Sequence, residues 1–296
     1  MRFAIVTHHE SPGMQVDKAE VDGHVIRFGL TEGAPGTPPL LIFNGIGANL
    51  ELVTPFSAAM AEQGIGSLVF DVPGVGGSLA PRLPYRFTSL ARLGVGLLRR
   101  LAITSPVDAL GVSWGGGLAQ QFAHQYPHQC RRLVLAATSP GAIMVPGRLN
   151  TIVKLATPRR YLDRHYMAKV GGEIYGGRVR TDDDLLARHG KHLAPPSGVG
   201  YLFQLLAGAG WTSIHWLHRL RQPTLVMMGT DDPIVPVVNG QILARLIPNA
   251  RLVTVDDGHL FLISSVDEVV PIIRDFLMEP DEQGPAQAGE PAESPP

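Results

Sequence analysis

A serine stands between two glycines in Gly111-Val112-Ser113-Trp114-Gly115, directly after the apolar run Val107-Asp108-Ala109-Leu110 and directly before a helical stretch that reaches Tyr126. A chain with this order must pass from strand to helix in one tight turn. Such a turn forces Ser113 into a strained backbone, and side chains at positions 111 and 115 are expected to collide. Glycine at both positions removes the collision. The strain lifts the Ser113 hydroxyl above the edge of a sheet, where a base can reach it. A Gly-rich turn with an ordinary serine is the alternative, and the strand–turn–helix context argues against it.

A serine hydroxyl is a poor nucleophile at neutral pH, so it needs a base, and the base needs an orienting partner. Downstream, Thr224 to Gly229 reads as a strand that delivers Asp231-Asp232 at its C-terminal end. Arg251 to Val255 reads as a further strand, followed by Asp256-Asp257-Gly258-His259. The resulting order, Ser113, Asp232, His259, is that of the α/β-hydrolase fold. Each residue falls on the C-terminal side of a predicted strand, where open parallel sheets place their ligands. Asp231 and Asp232 are adjacent and cannot both point at one imidazole. We assign the acid to Asp232, with Asp231 capping the turn or meeting solvent. Asp256 and Asp257 are expected to shape the loop of His259, which the apolar Leu260-Phe261-Leu262 holds against the core.

Attack on a carbonyl builds negative charge on its oxygen, and two backbone amides are needed to hold it. The amide of Trp114, the residue after the nucleophile, is one. The strand Leu40-Leu41-Ile42-Phe43 leads into Asn44-Gly45-Ile46-Gly47, and the amide of Ile46 is assigned as the other. Asn44 is expected to hydrogen-bond within this loop or to form a simple Asx turn.

Strand and helix patterns alternate along most of the chain, which predicts a mostly parallel central sheet flanked by helices. A hairpin is expected over Val16 to Leu30 around Asp22-Gly23, and helices over about Leu50 to Glu62 and Ser89 to Leu101. Asp71 in Asp71-Val72-Pro73-Gly74-Val75-Gly76-Gly77-Ser78 is expected to serve structure. The alternation breaks between Ser139 and Gln222. That stretch is helical in pattern and carries Tyr161, Tyr166, Tyr175, Tyr201, Phe203, Trp211 and Trp216. The expected organisation is a core of residues 1–139 and 223–279, a helical cap of residues 140–222 inserted after the sixth strand, and a disordered tail of residues 280–296. Cap aromatics are expected to line an acyl pocket or, residue by residue, to pack the cap onto the core.

At 296 residues and 45% hydrophobic, the chain is large enough for a sizeable core. Its formal net charge of −1 gives no reason to expect nucleic acid or an acidic membrane as partner. No segment is apolar enough over a sufficient length to span a bilayer. The first residues lack a secretion signal and Cys130 is the single cysteine, so a cytoplasmic location is expected. His215 and His218 lack a third ligand, and Asp182-Asp183-Asp184 reads as a solvated helix start, so no metal site is expected from these residues.

Several segments together resemble the intracellular poly(3-hydroxyalkanoate) depolymerases. They are Leu41 to Glu51, Asp71 to Ser78, Leu110 to Gly116, Gly210-Trp211-Thr212-Ser213-Ile214-His215-Trp216-Leu217-His218 and Asp256 to Leu262. The resemblance runs from about Val16 to Leu277. It implies cofactor-free hydrolysis of polyester ester bonds, with medium-chain-length polymers as the best-known substrates. It also implies a polyester or 3-hydroxyacyl ester as substrate, with the polymer granule surface as a further partner. A small-ester carboxylesterase or a 3-hydroxyacyl transferase would use the same three residues.

Overall fold

The computed structural model describes residues 13–155, 163–182, 185 and 197–280. Eight strands form one sheet in the order β1-β2-β4-β3-β5-β6-β7-β8. In chain order they are β1 (Met14–Val21), β2 (His24–Thr31), β3 (Leu40–Phe43), β4 (Ser67–Phe70), β5 (Val107–Val112), β6 (Cys130–Ala136), β7 (Thr224–Gly229) and β8 (Ala250–Val255). The first two form the expected hairpin. Asp22 and Gly23, with φ of 48° and 76°, make the two-residue turn between the paired Val21 and His24. β2 runs antiparallel to β4, and from β4 to β8 every pairing is parallel.

The central strands read as unbroken apolar runs because both faces are covered. All residues of β3, β4 and β7 are buried. Their period of two splits them between the faces. Leu41, Phe43, Leu68, Phe70, Val226 and Met228 pack on one side with α2 (Phe87–Arg100), α3 (Trp114–Gln125) and α7 (Val237–Leu246). Leu40, Ile42, Val69, Leu225 and Met227 pack on the other with α1 (Thr54–Glu62) and α9 (Val266–Met278).

Between β6 and β7 the chain leaves the sheet. The described part of this insertion contains α4 (Leu149–Leu155), α5 (Arg164–Tyr175) and α6 (Gly198–Gly208), with 3-10 turns at Gly177–Arg180 and Leu217–Arg219. The short α8 (Phe261–Ser264) follows β8. The helix expected from Leu50 begins as a 3-10 turn, Leu50–Val53, because Pro55 sits in the first turn of α1 and has no amide to give. Helix α2 starts at Phe87 rather than Ser89, with Ser89 bonding back to the backbone amide of Arg86 at 3.0 Å. Tyr161, Asp183, Asp184 and residues 281–296 lie outside the described residues. Among the described residues no helix is long and apolar enough to cross a membrane.

Candidate active site

Ser113 occupies the turn between β5 and α3 with φ 55° and ψ −120°, a left-handed conformation that costs a non-glycine residue on the order of 1–3 kcal/mol. The turn is stapled from three sides. Ser113 N donates to Ala136 O at 2.9 Å, and Ser113 O accepts from Gly116 N at 2.9 Å and from Thr138 Oγ1 at 2.7 Å. A β-carbon at Gly111 would lie 2.4 Å from Gly115 O, and one at Gly115 would lie 2.1 Å from Phe43 O. The second collision is thus with the end of β3, not with position 111 as the sequence suggested. The side-chain-free approach brings the loop after β3 against the turn: a β-carbon at Gly45 would stand 3.7 Å from Ser113 Cβ.

That loop carries Ile46. Asn44 Nδ2 donates to Asn49 O at 3.0 Å, so Asn44 braces the loop across five residues, and Gly47 takes φ 73°. Asp71, buried after β4, holds the same loop from behind. Its Oδ1 accepts from Leu50 N at 2.8 Å, its Oδ2 from Gly77 N at 2.9 Å and from Arg27, which also pairs with Glu51. Burial pushes the Asp71 carboxyl up, against the opposing pull of the Gly77 amide and Arg27.

Asp232 and His259 meet after β7 and β8. Asp232 Oδ1 accepts from the amides of Ile234 at 2.8 Å and Val235 at 2.9 Å, which leaves Oδ2 for His259. His259 Nδ1 donates to that oxygen at 2.7 Å, and both side chains are buried. A carboxylate only accepts, so the nitrogen that faces Asp232 is the donor of this bond, and Nε2 is the ring nitrogen not engaged by Asp232. Asp257 shapes the loop as expected. Its Oδ1 accepts from Gly258 N at 2.7 Å and Arg178 N at 2.8 Å, and its Oδ2 accepts from Ser264 and from Ser265 at 2.6 Å.

Asp231 neither caps its own turn nor simply meets solvent. It accepts from Gly177 N at 2.8 Å and from Arg180 through Nε at 2.7 Å and Nη2 at 3.1 Å. The Arg180 guanidinium holds its carboxyl below the usual carboxylate range. The neighbouring acids therefore divide by direction: Asp232 turns inward to the histidine and Asp231 outward to the insertion.

Sequence reasoning missed how deeply the insertion enters this site. His259 N donates to Tyr175 O at 2.7 Å, and the two rings lie parallel within 18°. A β-carbon at Gly177 would fall 1.9 Å from Gly258 N, and one at Gly176 would fall 2.0 Å from Asp231 O. The adjacent pair Gly176-Gly177 was the available signal, since only glycine permits such contact. From α6, Gln204 reaches Gly47 and Trp114. The motif Trp211-Thr212-Ser213 docks on α3, with Trp211 Nε1 donating to Gln121 Oε1 at 3.0 Å and Ser213 Oγ to Gln120 Oε1 at 2.6 Å. Trp211 lies edge-on to Phe87 at 4.9 Å and to Trp216 at 6.0 Å, and Trp216 stacks on His124 at 4.2 Å. These two tryptophans pack the insertion onto the core. Among the described residues no three metal-ligating side chains converge, and His215 stands edge-on to Trp216 instead.

The alpha/beta hydrolase fold family matches residues 38–266. The chain belongs to this family. It is 51% identical over 260 residues to the poly(3-hydroxyalkanoate) depolymerase of Ectopseudomonas oleovorans, covering 88% of this chain and 91% of that one. It is 28% identical to the pimeloyl-[acyl-carrier protein] methyl ester esterase of Aromatoleum aromaticum, over 81% of this chain and 98% of the relative. Among solved structures, the enol-lactonase from Burkholderia xenovorans LB400 superposes with a TM-score of 0.76 at 24% identity, over 89% of this chain and all of the other.

Proposed function

We propose that this ester hydrolase cleaves the ester bonds of poly(3-hydroxyalkanoate), of medium chain length, through an acyl-enzyme on Ser113. The observation that carries the reading is the 51% identity to a depolymerase over nearly the full length of both chains. His259 Nε2 takes the proton as Ser113 Oγ attacks the ester carbonyl. Asp232 holds the imidazole and stabilises its charged form. The amides of Ile46 and Trp114 hold the oxyanion. The ester C–O bond breaks, the alcohol leaves with the proton from His259, and water activated by the same histidine releases the 3-hydroxy acid. The insertion acts as the cap over this chemistry.

Association with the polymer granule is supported by α6. Its outward residues Val199, Leu202, Leu205 and Leu206 are exposed, and the helix carries no charged residue. The test compares p-nitrophenyl octanoate with an emulsion of medium-chain polyhydroxyalkanoate, using Ser113→Ala as control. We expect both activities in the wild type and a loss of several orders of magnitude in the variant, with the fold retained. Ester cleavage without polymer clearing would leave a small-ester hydrolase.

A further inference from the structure

Gln204 is the one amide side chain of an otherwise apolar helix, and it is 1% exposed. A buried amide costs free energy unless it is hydrogen-bonded. Its Oε1 accepts from Gly47 N at 2.8 Å, and its main-chain oxygen accepts from Trp114 Nε1 at 2.8 Å. Gly47 follows Ile46 directly, and Trp114 is the residue after Ser113. One residue of the insertion is therefore bonded to both halves of the proposed oxyanion site, which come from separate loops after β3 and β5. β3 and β5 are paired as far as Phe43 and Gly111, and beyond that register the placement of the two loops depends on what packs on them and bridges them. The apposition is close on the α6 side as well: a β-carbon at Gly208 would lie 3.4 Å from Trp114 Nε1.

We infer that Gln204 is a positioning residue that sets the spacing of the two oxyanion donors, so that the site is complete only when α6 is seated. The inference rests on the assignment of Ser113, Ile46 and Trp114 made above. Losing the Gly47 bond shifts the Ile46 amide rather than deleting it. Displacements near 1 Å cost about 100-fold in rate and loss of a whole donor about 100- to 1000-fold, so a loss of about 10- to 100-fold is expected.

The test uses the full chain and Gln204→Met, which fills a similar volume without a strong acceptor. Active sites are first titrated with a serine-directed phosphonate and the labelled peptide is identified. We expect kcat per titrated site to fall by about 10- to 100-fold, with KM for a short p-nitrophenyl ester within about twofold. The inhibition constant of an alkyl boronic acid, whose adduct mimics the tetrahedral intermediate, should rise by the same factor as kcat/KM falls. Unchanged per-site kcat and boronate affinity would overturn the role of Gln204 while leaving the site intact. Absence of label on Ser113 in the wild type would overturn the site assignment and this inference with it. Should Gln204→Met not fold, Gln204→Asn keeps an amide one methylene short of Gly47 N. Its per-site kcat and boronate affinity should fall in parallel, as for the methionine variant. Unchanged values would overturn the inference.

Discussion

Replacing Gly258 by alanine should damage turnover far more than stability, and the size of the effect follows from two contacts. The added β-carbon would lie 2.1 Å from Tyr175 O and 2.5 Å from Gly176 C. Carbon and oxygen need roughly 3.2 Å, so one side must yield by about 1 Å. Room for retreat is small, because Gly258 O lies close to Gly229, where an added β-carbon would sit 2.4 Å from it. The displaced Tyr175 oxygen is also the acceptor for His259 N. The strain therefore falls on His259, while Asp232 stays fixed by the amides of Ile234 and Val235. A shift of about 1 Å in a catalytic group costs on the order of 100-fold in kcat. Overpacking of this kind costs about 1–3 kcal/mol, or about 2–5 °C in Tm for a chain of this length. Steady-state hydrolysis of a p-nitrophenyl ester, normalised to titrated sites, and calorimetry read the two effects separately. A kcat within about twofold of wild type would refute the argument that the insertion sets the position of His259.

The two adjacent acids should separate sharply. Asp232→Asn should lower kcat by about 1000-fold or more, since the amide no longer selects the Nδ1–H tautomer. Asp231→Asn should leave kcat within about threefold and cost about 1 kcal/mol or less, its Arg180 pair being partly exposed and screened by solvent; the reverse result would move the acid role to Asp231. A third expectation concerns pH. Burial raises the Asp108 carboxyl to about 6, opposed by the hydrogen bond from Arg131. The folded chain thus holds this proton more tightly than the unfolded one, so the group's contribution to stability falls as pH rises from about 4 to about 6. At most about 3 kcal/mol is at stake. In a pH series of melting curves, the Tm of wild type minus that of Asp108→Asn should grow as pH drops from neutral towards about 4.5. A constant difference would refute the linkage.

The parts of the site that depend on local order were readable in the sequence. Apolar runs such as Leu40 to Phe43 and Thr224 to Gly229 mark fully buried parallel strands, because helices cover both faces. Ser113 flanked by glycines needs only a strand before it and a helix after it. Asp232 and His259 follow from the same logic of strand ends. What escaped depends on contacts across long stretches of chain. Gln204 meets Gly47 from 157 residues away, and nothing in a helix of glycine and apolar residues announces it. Asp231 reads from sequence as capping its own turn or meeting solvent because its partners, Gly177 and Arg180, lie in the insertion. Trp211 and Trp216 could have lined a pocket or packed a surface, and the choice was made by Phe87 and His124, which belong to α2 and α3.

Two of the attachments of the insertion to the site do different work. Tyr175 to Arg178 hold the loops of Asp232 and His259, through Tyr175 O, Gly177 N and Arg178 N. Gln204 holds Gly47 and Trp114. These two attachments differ in what their release would remove. Lifting Tyr175 to Arg178 would strip hydrogen bonds from the buried Asp257 and from the His259 amide, leaving polar groups unpaired at about 1–3 kcal/mol each. Lifting α6 would break the two bonds of Gln204 and those from Ser197 N and Oγ to Gly74 O at 3.3 and 2.9 Å, and would leave the Asp232–His259 bond in place. Release of α6 would therefore act on the proposed oxyanion donors and leave the proposed acid–base pair assembled. If Ser113 and these donors act as proposed, the seating of α6 governs the electrostatic part of the site separately from the orientation of the base.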